Sequence, residues 1–110
     1  MTTHQMKLQL SPFEKIKART KTIEIRLNDE KRQLLKVGDK IEFSLMTDPS
    51  QTVKVEVVDL EKFSTFKEMF AAYPAREYGG ENQDDWELMY KYYSPQDEAK
   101  YGVLAIRVKI

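Results

Sequence analysis

One stretch near the N-terminus constrains the fold more than any other part of the chain. Residues 20–27 read Thr-Lys-Thr-Ile-Glu-Ile-Arg-Leu, with an apolar side chain at every second position of the later part. Such alternation is typical of a β-strand that has one face in a core. The other face carries Thr22, Glu24 and Arg26, and Lys21 stands where the strand begins. The fold must therefore bury one row of this strand and accommodate a row of charges on the other.

Two interpretations of the charged row are open. Glu24 and Arg26 lie two residues apart on one strand face, close enough to pair with each other or to share a partner. On a solvated face they would form an ordinary surface ion pair, which contributes roughly 0–1 kcal/mol. On a face that lines a cleft, the same side chains would form a binding site.

Four further runs of alternating apolar residues predict four more strands. They lie at residues 6–10, 41–46, 53–60 and 103–110. The sequence between the second and third of these runs, Thr-Asp-Pro-Ser at 47–50, is typical of a loop. We therefore expect the strands at 41–46 and 53–60 to pair as a hairpin.

Helical spacing occurs in the segments between the strands. Ser11 is the expected cap of a first short helix, with Pro12 in its first position and Glu14 three residues after the cap. Thr65 is the expected cap of a second helix, which Pro74 ends. Further caps are predicted at Asn82 or Asp84 and at Ser94. The second helix and the one that follows have largely aromatic faces, which favour core packing: Phe66, Met69, Phe70 and Tyr73, then Trp86, Met89, Tyr90 and Tyr93.

The count of elements predicts an α+β fold that is mainly β. About five strands and two or three helices are expected, and strands from both chain ends must close on one another. A small β-barrel flanked by the helices buries the alternating faces and hides the sheet edges. A length of 110 residues fits one domain, here residues 1–110.

Composition excludes several kinds of site. The 18 Lys and Arg balance the 18 Asp and Glu, so an RNA or nucleotide site must be a local pocket rather than a basic surface. There is no Cys, and the single His, His4, lies in an N-terminal segment expected to be loose and solvated. Thiolate chemistry, a Ser-His-Asp triad and a multi-His metal site cannot be built, and no metal or cofactor is suggested. The absence of a signal-peptide pattern and of a long apolar run predicts a cytoplasmic protein.

The order of the motifs resembles the ASCH domain of the PUA-like superfamily, in its small bacterial form. The resemblance rests on a helix followed by Lys21-Thr22-x-Glu24-x-Arg26, then Gly38-Asp39-x-Ile41-x-Phe43, Tyr92-Tyr93-Ser94 and Tyr101-Gly102-Val103-Leu104-Ala105-Ile106. It covers nearly the whole chain, from about Lys7 to Ile110. It implies a compact PUA-like β-barrel with helices around a cleft.

The resemblance also implies a range of functions. PUA-like relatives bind RNA, and ASCH members have been proposed to act on RNA or nucleosides. Some small bacterial members are amidohydrolases that deacylate N4-acetylcytidine, and others have been described as ribonucleases. The expected partner is RNA, a nucleotide or a nucleoside, with no membrane and no sequence-specific DNA contact. The sequence carries no signal for an oligomeric state.

A catalytic set follows from the deacylating members, which use a lysine, a threonine and a glutamate. Lys21 matches the lysine, but Glu24 occupies the place of the threonine. Glu81 is the best match for the glutamate, with Glu77 and Glu87 as alternatives. The catalytic prediction is therefore Lys21, Glu24 and Glu81.

The change from threonine to Glu24 favours binding over catalysis. A carboxylate beside Lys21 favours the charged ammonium, whereas a nucleophilic or basic amine must be neutral. Glu24 can instead accept a hydrogen bond from an exocyclic amine, while Lys21 and Arg26 hold a phosphate or carbonyl oxygen. Tyr78 or Tyr92 could stack on the base. We therefore predict an RNA- or nucleotide-binding domain with a charged cleft. An amidohydrolase and a ribonuclease are the alternatives, although the ribonuclease lacks a well-placed histidine.

Overall fold

The charged stretch forms a strand at the edge of a five-stranded sheet in the computed structural model, which describes residues 1–110. The strands are β1 (Thr3–Leu8), β2 (Ile23–Leu27), β3 (Lys40–Leu45), β4 (Asp48–Phe63) and β5 (Val103–Lys109). Their order in the sheet is β1-β3-β4-β5-β2. β1 pairs with β3 in parallel, and the other neighbours are antiparallel. The predicted mainly-β fold with five strands is confirmed, as a sheet that curls into a half-barrel.

Short helices connect these strands. The α-helices are α1 (Leu10–Lys17), α2 (Phe66–Ala72) and α3 (Pro95–Tyr101). Three 3-10 helices span Arg32–Leu34, Ala75–Tyr78 and Gln83–Lys91. Every helix is too short or too polar to cross a membrane.

The curled sheet separates two apolar clusters, and the apolar side chains of β2 all belong to the outer one. The inner cluster includes Leu104 and Ile106 of β5, and the outer cluster packs under α2 and includes Ile25. Glu24 lies opposite Ile106 and Arg26 lies opposite Leu104 in the antiparallel β2–β5 pair. Because residues directly opposite each other share a sheet face, both charged side chains of β2 point to the inner side of the barrel.

The predicted helix caps are confirmed at three positions. The side chains of Thr65, Asn82 and Ser94 each accept a hydrogen bond from a backbone N–H of the following turn. The predicted α-helix after Asn82 is instead a 3-10 helix with non-helical backbone angles at Asp85. Its apolar face nevertheless packs against the outer cluster as expected.

The prediction of a Ser11 cap is wrong. Helix α1 begins at Leu10, and Gln9 precedes it without a side-chain cap. The N–H of Phe13 already bonds to the Gln9 carbonyl at 3.1 Å, so the helical ladder starts earlier than expected. Pro12 is tolerated there because the first helical residues have no intrahelical acceptor for their N–H groups. The predicted hairpin is confirmed, with a tighter turn than expected because β4 begins at Asp48.

The prediction that His4 is solvated in a loose N-terminus is also wrong. β1 pairs with β3 in register from Thr3 opposite Lys40, which brings His4 beside Asp39. His4 Nε2 lies 2.8 Å from Asp39 Oδ2, and the His4 side chain is only 11% exposed. The hydrogen bond with His4 is the main cause that lowers the pKa of Asp39. Through these contacts, Asp39 links β1 to the turn before β3.

Replacing Asp39 with asparagine is expected to loosen β1. The variant replaces the carboxylate that contacts His4 and accepts from the Thr2 and Lys36 N–H groups with a neutral amide, which is a weaker acceptor. Hydrogen exchange at the Thr3–Leu8 amides should become faster, while β5 amides stay protected. Asp59→Asn, at an exposed position of β4, is the matched control. Unchanged exchange in β1 would contradict the role given to Asp39.

Candidate functional site

Lys21, Glu24 and Arg26 form a buried ion network, here called the ion triad. Lys21 Nζ lies 2.8 Å from Glu24 Oε1, and Arg26 Nε donates to Glu24 Oε2 at 2.8 Å. The three side chains are 9%, 5% and 14% exposed, respectively. The interpretation of Glu24 and Arg26 as a surface ion pair is therefore wrong. Both oxygens of Glu24 are occupied by cations inside the protein.

The ion triad lies at a gap in the barrel, between two strands that share no backbone hydrogen bonds. β1 and β2 are the two edges of the sheet and do not pair with each other. Arg26 spans this gap, because its Nη2 donates to the carbonyl oxygen of Lys7 in β1 at 2.9 Å. The side chain of Arg26, rather than a row of backbone hydrogen bonds, therefore links the two edge strands.

The charge of Glu24 depends on its two partners. Burial alone would raise the pKa of the carboxyl, but the charges and hydrogen bonds of Lys21 and Arg26 outweigh it. The net pKa lies below the ordinary value of 4.5, so Glu24 is a carboxylate at neutral pH.

The free energy of unfolding should depend on pH because Glu24 is charged in the folded protein. A folded-state pKa below the unfolded value means that the stabilisation is present above about pH 4.5 and is lost as the pH falls through the folded pKa. We expect the difference in unfolding free energy between wild type and Glu24→Gln to be largest near pH 7 and to shrink below pH 4.5. Urea titrations across this range measure it, and a difference that does not change with pH would contradict the assignment.

A cationic pocket, named here for its side chains, adjoins the ion triad at the start of β2. Its volume is about 180 Å³. Three cationic residues line it and no Asp or Glu does. The complete lining is Ile16, Arg19, Lys21, Thr22, Val55, Val108, Lys109 and Ile110. Glu24 pairs with Lys21 and Glu56 lies opposite Lys109, but neither carboxylate lines the pocket. Three cations on its wall favour an anionic ligand.

The backbone of Arg19 shapes one wall of this pocket. Arg19 has a φ of +67°, the sole positive φ of a non-glycine residue in the chain. The N–H groups of Thr20 and Lys21 both donate to the Lys15 carbonyl, which turns the chain from α1 towards β2. Left-handed backbone is unfavourable for an arginine, and here it ends helix α1, because Arg19 directly follows the C-cap Ala18.

A loop covers the stem of Lys21. Gly79 has a φ of +81°, and a Cβ placed on it would lie 3.0 Å from Lys21 Cδ. Lys15 Nζ donates to the Gly79 carbonyl at 3.1 Å, and the Thr22 N–H donates to the Glu77 carbonyl at 2.8 Å. Only a residue without a side chain fits this close approach, so Gly79 lets the loop hold Lys21 in place.

The carboxylates considered as catalytic partners lie elsewhere. Glu81 and Glu87 are exposed and form no ion pair. Glu77 pairs with Arg107 at 3.1 Å. The structure thus brings Lys21, Glu24 and Arg26 together and brings none of these three carboxylates into the ion triad. A catalytic role for Glu81 stays a prediction.

The aromatic candidates differ in accessibility. Tyr78 is buried in the outer cluster, where its hydroxyl donates to the Phe70 carbonyl at 3.3 Å. Tyr92 is 63% exposed and its ring is free to meet a ligand. Stacking on a base is therefore open to Tyr92 in this conformation, whereas Tyr78 packs in the core. For both residues the ligand-binding role stays a prediction.

Sequence reasoning missed several residues of the site. Arg19 and Lys109 reach the cationic pocket from opposite ends of the chain, and nothing in the local sequence connects them. The one signal for Arg19 was its place two residues before Lys21. Tyr93 was assigned to core packing by its helical spacing, and its ring stacks on Phe66 of the outer cluster.

Comparison with known proteins identifies the family. The model of the ASCH domain matches residues 6–110. No curated protein matches the chain significantly. ASCH domains are associated in general with RNA binding or related functions.

Solved structures agree with this match. The crystal structure of hypothetical protein PH0355 is 34% identical, with a TM-score of 0.86 and 98% of each chain covered. The solution NMR structure of protein PF0455 from Pyrococcus furiosus is 30% identical, with a TM-score of 0.70 and 98% of this chain and 96% of that chain covered.

A more distant structure shares the fold alone. It is a point mutant of the ZmASCH protein from Zymomonas mobilis, 15% identical, with a TM-score of 0.65. The alignment covers 99% of this chain and 68% of that chain. Together with the match of the family model over nearly the whole length, these likenesses show that the chain belongs to the ASCH domain family.

Proposed function

We propose that this ASCH domain binds RNA, with a backbone phosphate in the cationic pocket. The observation that carries the proposal is the pocket of about 180 Å³ lined by Arg19, Lys21 and Lys109 and by no acidic side chain. The chain as a whole has zero net charge, so a phosphate is expected to be attracted to this local concentration of cations.

Lys21 has donors left for a ligand. Its ammonium carries three N–H groups, and Glu24 is its one ionic partner. The remaining N–H groups can bind a phosphate oxygen without breaking the ion triad. Glu24 then acts by holding Lys21 and Arg26 in position, and the exposed ring of Tyr92 is available for stacking on a base.

The same contacts weigh against the amidohydrolase alternative. An amine that attacks an acyl group or takes a proton must present its lone pair to the substrate, but the Lys21 Nζ is held by the Glu24 carboxylate at 2.8 Å. Glu81, which would shuttle the proton, is exposed to solvent. Binding therefore accounts for the arrangement better than deacylation does.

Fluorescence anisotropy with a labelled single-stranded oligoribonucleotide tests the proposal. We expect binding at low salt that weakens as salt is added. Lys109→Gln should lower the affinity by about 3- to 10-fold at low salt, because one phosphate-directed cation is lost. Lys54→Gln, at an exposed position of β4, is the control for total charge. The absence of binding at low salt, or equal losses in both variants, would contradict the proposal.

Turnover of N4-acetylcytidine that disappears in Lys21→Ala would instead establish the amidohydrolase.

Arg19→Gly is expected to weaken RNA binding while leaving the stability of the fold nearly unchanged. Glycine adopts the left-handed backbone of residue 19 without strain, which offsets its larger entropy in the unfolded chain. We expect the unfolding free energy to stay within about 1 kcal/mol of wild type. The RNA affinity should fall as in Lys109→Gln. A stable variant with wild-type affinity would remove Arg19 from the site.

A further inference from the structure

The cationic pocket has an exposed mouth and a buried floor. Arg19 and Lys109 are exposed and form the mouth. The floor consists of three lining residues that belong to the inner cluster and are 2%, 1% and 4% exposed, respectively: Ile16, Val55 and Val108. A strand that entered through the mouth would meet these packed side chains. It could place one end in the pocket but could not pass through it.

The size of the pocket also favours the end of a strand. A volume of about 180 Å³ equals that of about six water molecules in the liquid. A phosphate group, with one phosphorus and four oxygen atoms, fits such a space. A phosphodiester within a strand carries a ribose on each side, so it can contact the mouth but cannot approach the floor without both sugars. A terminal phosphate carries one sugar and can enter first.

Two polar side chains lie inside the mouth and can receive this phosphate. Lys21 is buried and keeps N–H groups that Glu24 does not bind. The half-buried Thr22 makes no side-chain hydrogen bond within the protein, unlike Thr20, whose hydroxyl donates to the Lys15 carbonyl at 3.2 Å. Both Lys21 and Thr22 can therefore donate to phosphate oxygens, which offsets the cost of bringing an anion near the apolar floor.

The charge at the mouth matches a terminal phosphate better than a phosphodiester. Arg19 and Lys109 form no ion pair within the protein. Glu56, which lies opposite Lys109, pairs with Lys40 instead, at 3.1 Å. A phosphate monoester carries about −1.5 to −2 charges at pH 7, whereas a diester carries a single negative charge. Two unpaired cations therefore attract the monoester more strongly.

We propose that the cationic pocket binds the phosphorylated end of a single-stranded RNA, with the terminal phosphate monoester between Arg19, Lys109 and Lys21. This inference rests on the proposed function and narrows its ligand. Phosphodiesters within the strand contact the mouth alone, whereas the terminal phosphate also reaches Lys21 and Thr22. The 5′ and 3′ ends offer the same monoester chemistry, and the test distinguishes them.

The test compares four internally labelled RNAs of one sequence. Three are linear, with hydroxyl groups at both ends, with a 5′-phosphate or with a 3′-phosphate, and the fourth is circular. Wild type should bind one or both phosphorylated strands at least about 10-fold more tightly than the hydroxyl strand at low salt, because additional charge-assisted hydrogen bonds form. The circle has as many phosphates as a phosphorylated strand but no end, so it controls for total charge and should bind no more tightly than the hydroxyl strand.

Thr22→Val tests whether the terminal phosphate lies inside the mouth. Valine keeps the shape of threonine and removes the hydroxyl. Affinity for the preferred phosphorylated strand should fall by about 3- to 10-fold, while binding of the hydroxyl strand stays unchanged. Thr52→Val makes the same chemical change at an exposed position of β4 and should change neither. An unchanged preference in Thr22→Val would contradict the deep position of the phosphate.

The wild-type comparisons do not depend on the folding of any variant. Equal affinity for all four RNAs, with affinity that still depends on Lys109, overturns this inference and leaves the proposed function intact. A circle that binds as tightly as the phosphorylated strands also overturns it, because total charge would then account for the preference. A protein that binds none of the four RNAs overturns both the inference and the proposed function.

Discussion

Glu24→Gln is expected to lower the unfolding free energy by about 3–5 kcal/mol. The amide cannot neutralise Lys21 and Arg26, whose side chains are 9% and 14% exposed. Both would remain as buried cations beside each other without a counter-charge. Removing one partner of a buried ionic network costs more than the network contributes to folding, because the remaining charges have lost contact with water and gained no replacement.

Urea denaturation near neutral pH measures this loss, and a second glutamate provides the control. Glu42 lies in β3 and forms no ion pair. Glu42→Gln makes the same chemical change and should alter the unfolding free energy by less than about 1 kcal/mol. Equal losses in the two variants would show that Glu24 is not held in a buried network.

A triple variant with an apolar side chain at each ion-triad position is expected to fold but not to bind RNA. Replacing a buried ionic network with apolar residues of similar volume is often neutral or stabilising, by as much as about 1–4 kcal/mol. Lys21→Met, Glu24→Leu and Arg26→Met together leave no uncompensated charge beside the inner cluster. The RNA affinity should fall at least about 10-fold, since the lysine of the cationic pocket is lost.

The two readouts of the triple variant separate the roles of the ion triad. A folded protein without RNA binding indicates that the charges are retained for a ligand. Wild-type affinity in the folded triple variant would remove the ion triad from the binding site. Loss of folding would instead show that the ion triad is needed for stability. The hydrogen bond from Arg26 in β2 to the Lys7 carbonyl of β1 would explain that need.

The fold was predictable where local pattern and tertiary packing agree. The alternation in β3 follows from burial on one face, and the caps at Thr65 and Ser94 follow from local hydrogen bonding. His4 and Ser11 were predicted wrongly because distant residues decide their positions. The parallel pairing of β1 with β3 brings Asp39 to His4, and no local pattern shows that pairing.

The site was predictable only along one strand. Lys21 precedes β2 and is three residues from Glu24, whereas Glu24 and Arg26 lie two residues apart on the strand. A two-residue period therefore predicts the proximity of Glu24 and Arg26 alone. The burial of the ion triad could not be predicted, because it depends on the inner cluster of the curled sheet and on the loop over Lys21. The convergence of Arg19 with Lys109 joins residues far apart in sequence and required the structure.

The most direct test of phosphate binding in the cationic pocket is the salt dependence of RNA affinity. A plot of the logarithm of the association constant against the logarithm of salt concentration has a slope proportional to the number of neutralised phosphates. For single-stranded RNA each contact contributes about −0.7, so Arg19→Gly should have a shallower slope than wild type by about 0.7, while Lys54→Gln should match wild type. Identical slopes for wild type and Arg19→Gly, or an affinity that does not respond to salt, would contradict the assignment of this pocket to an RNA phosphate.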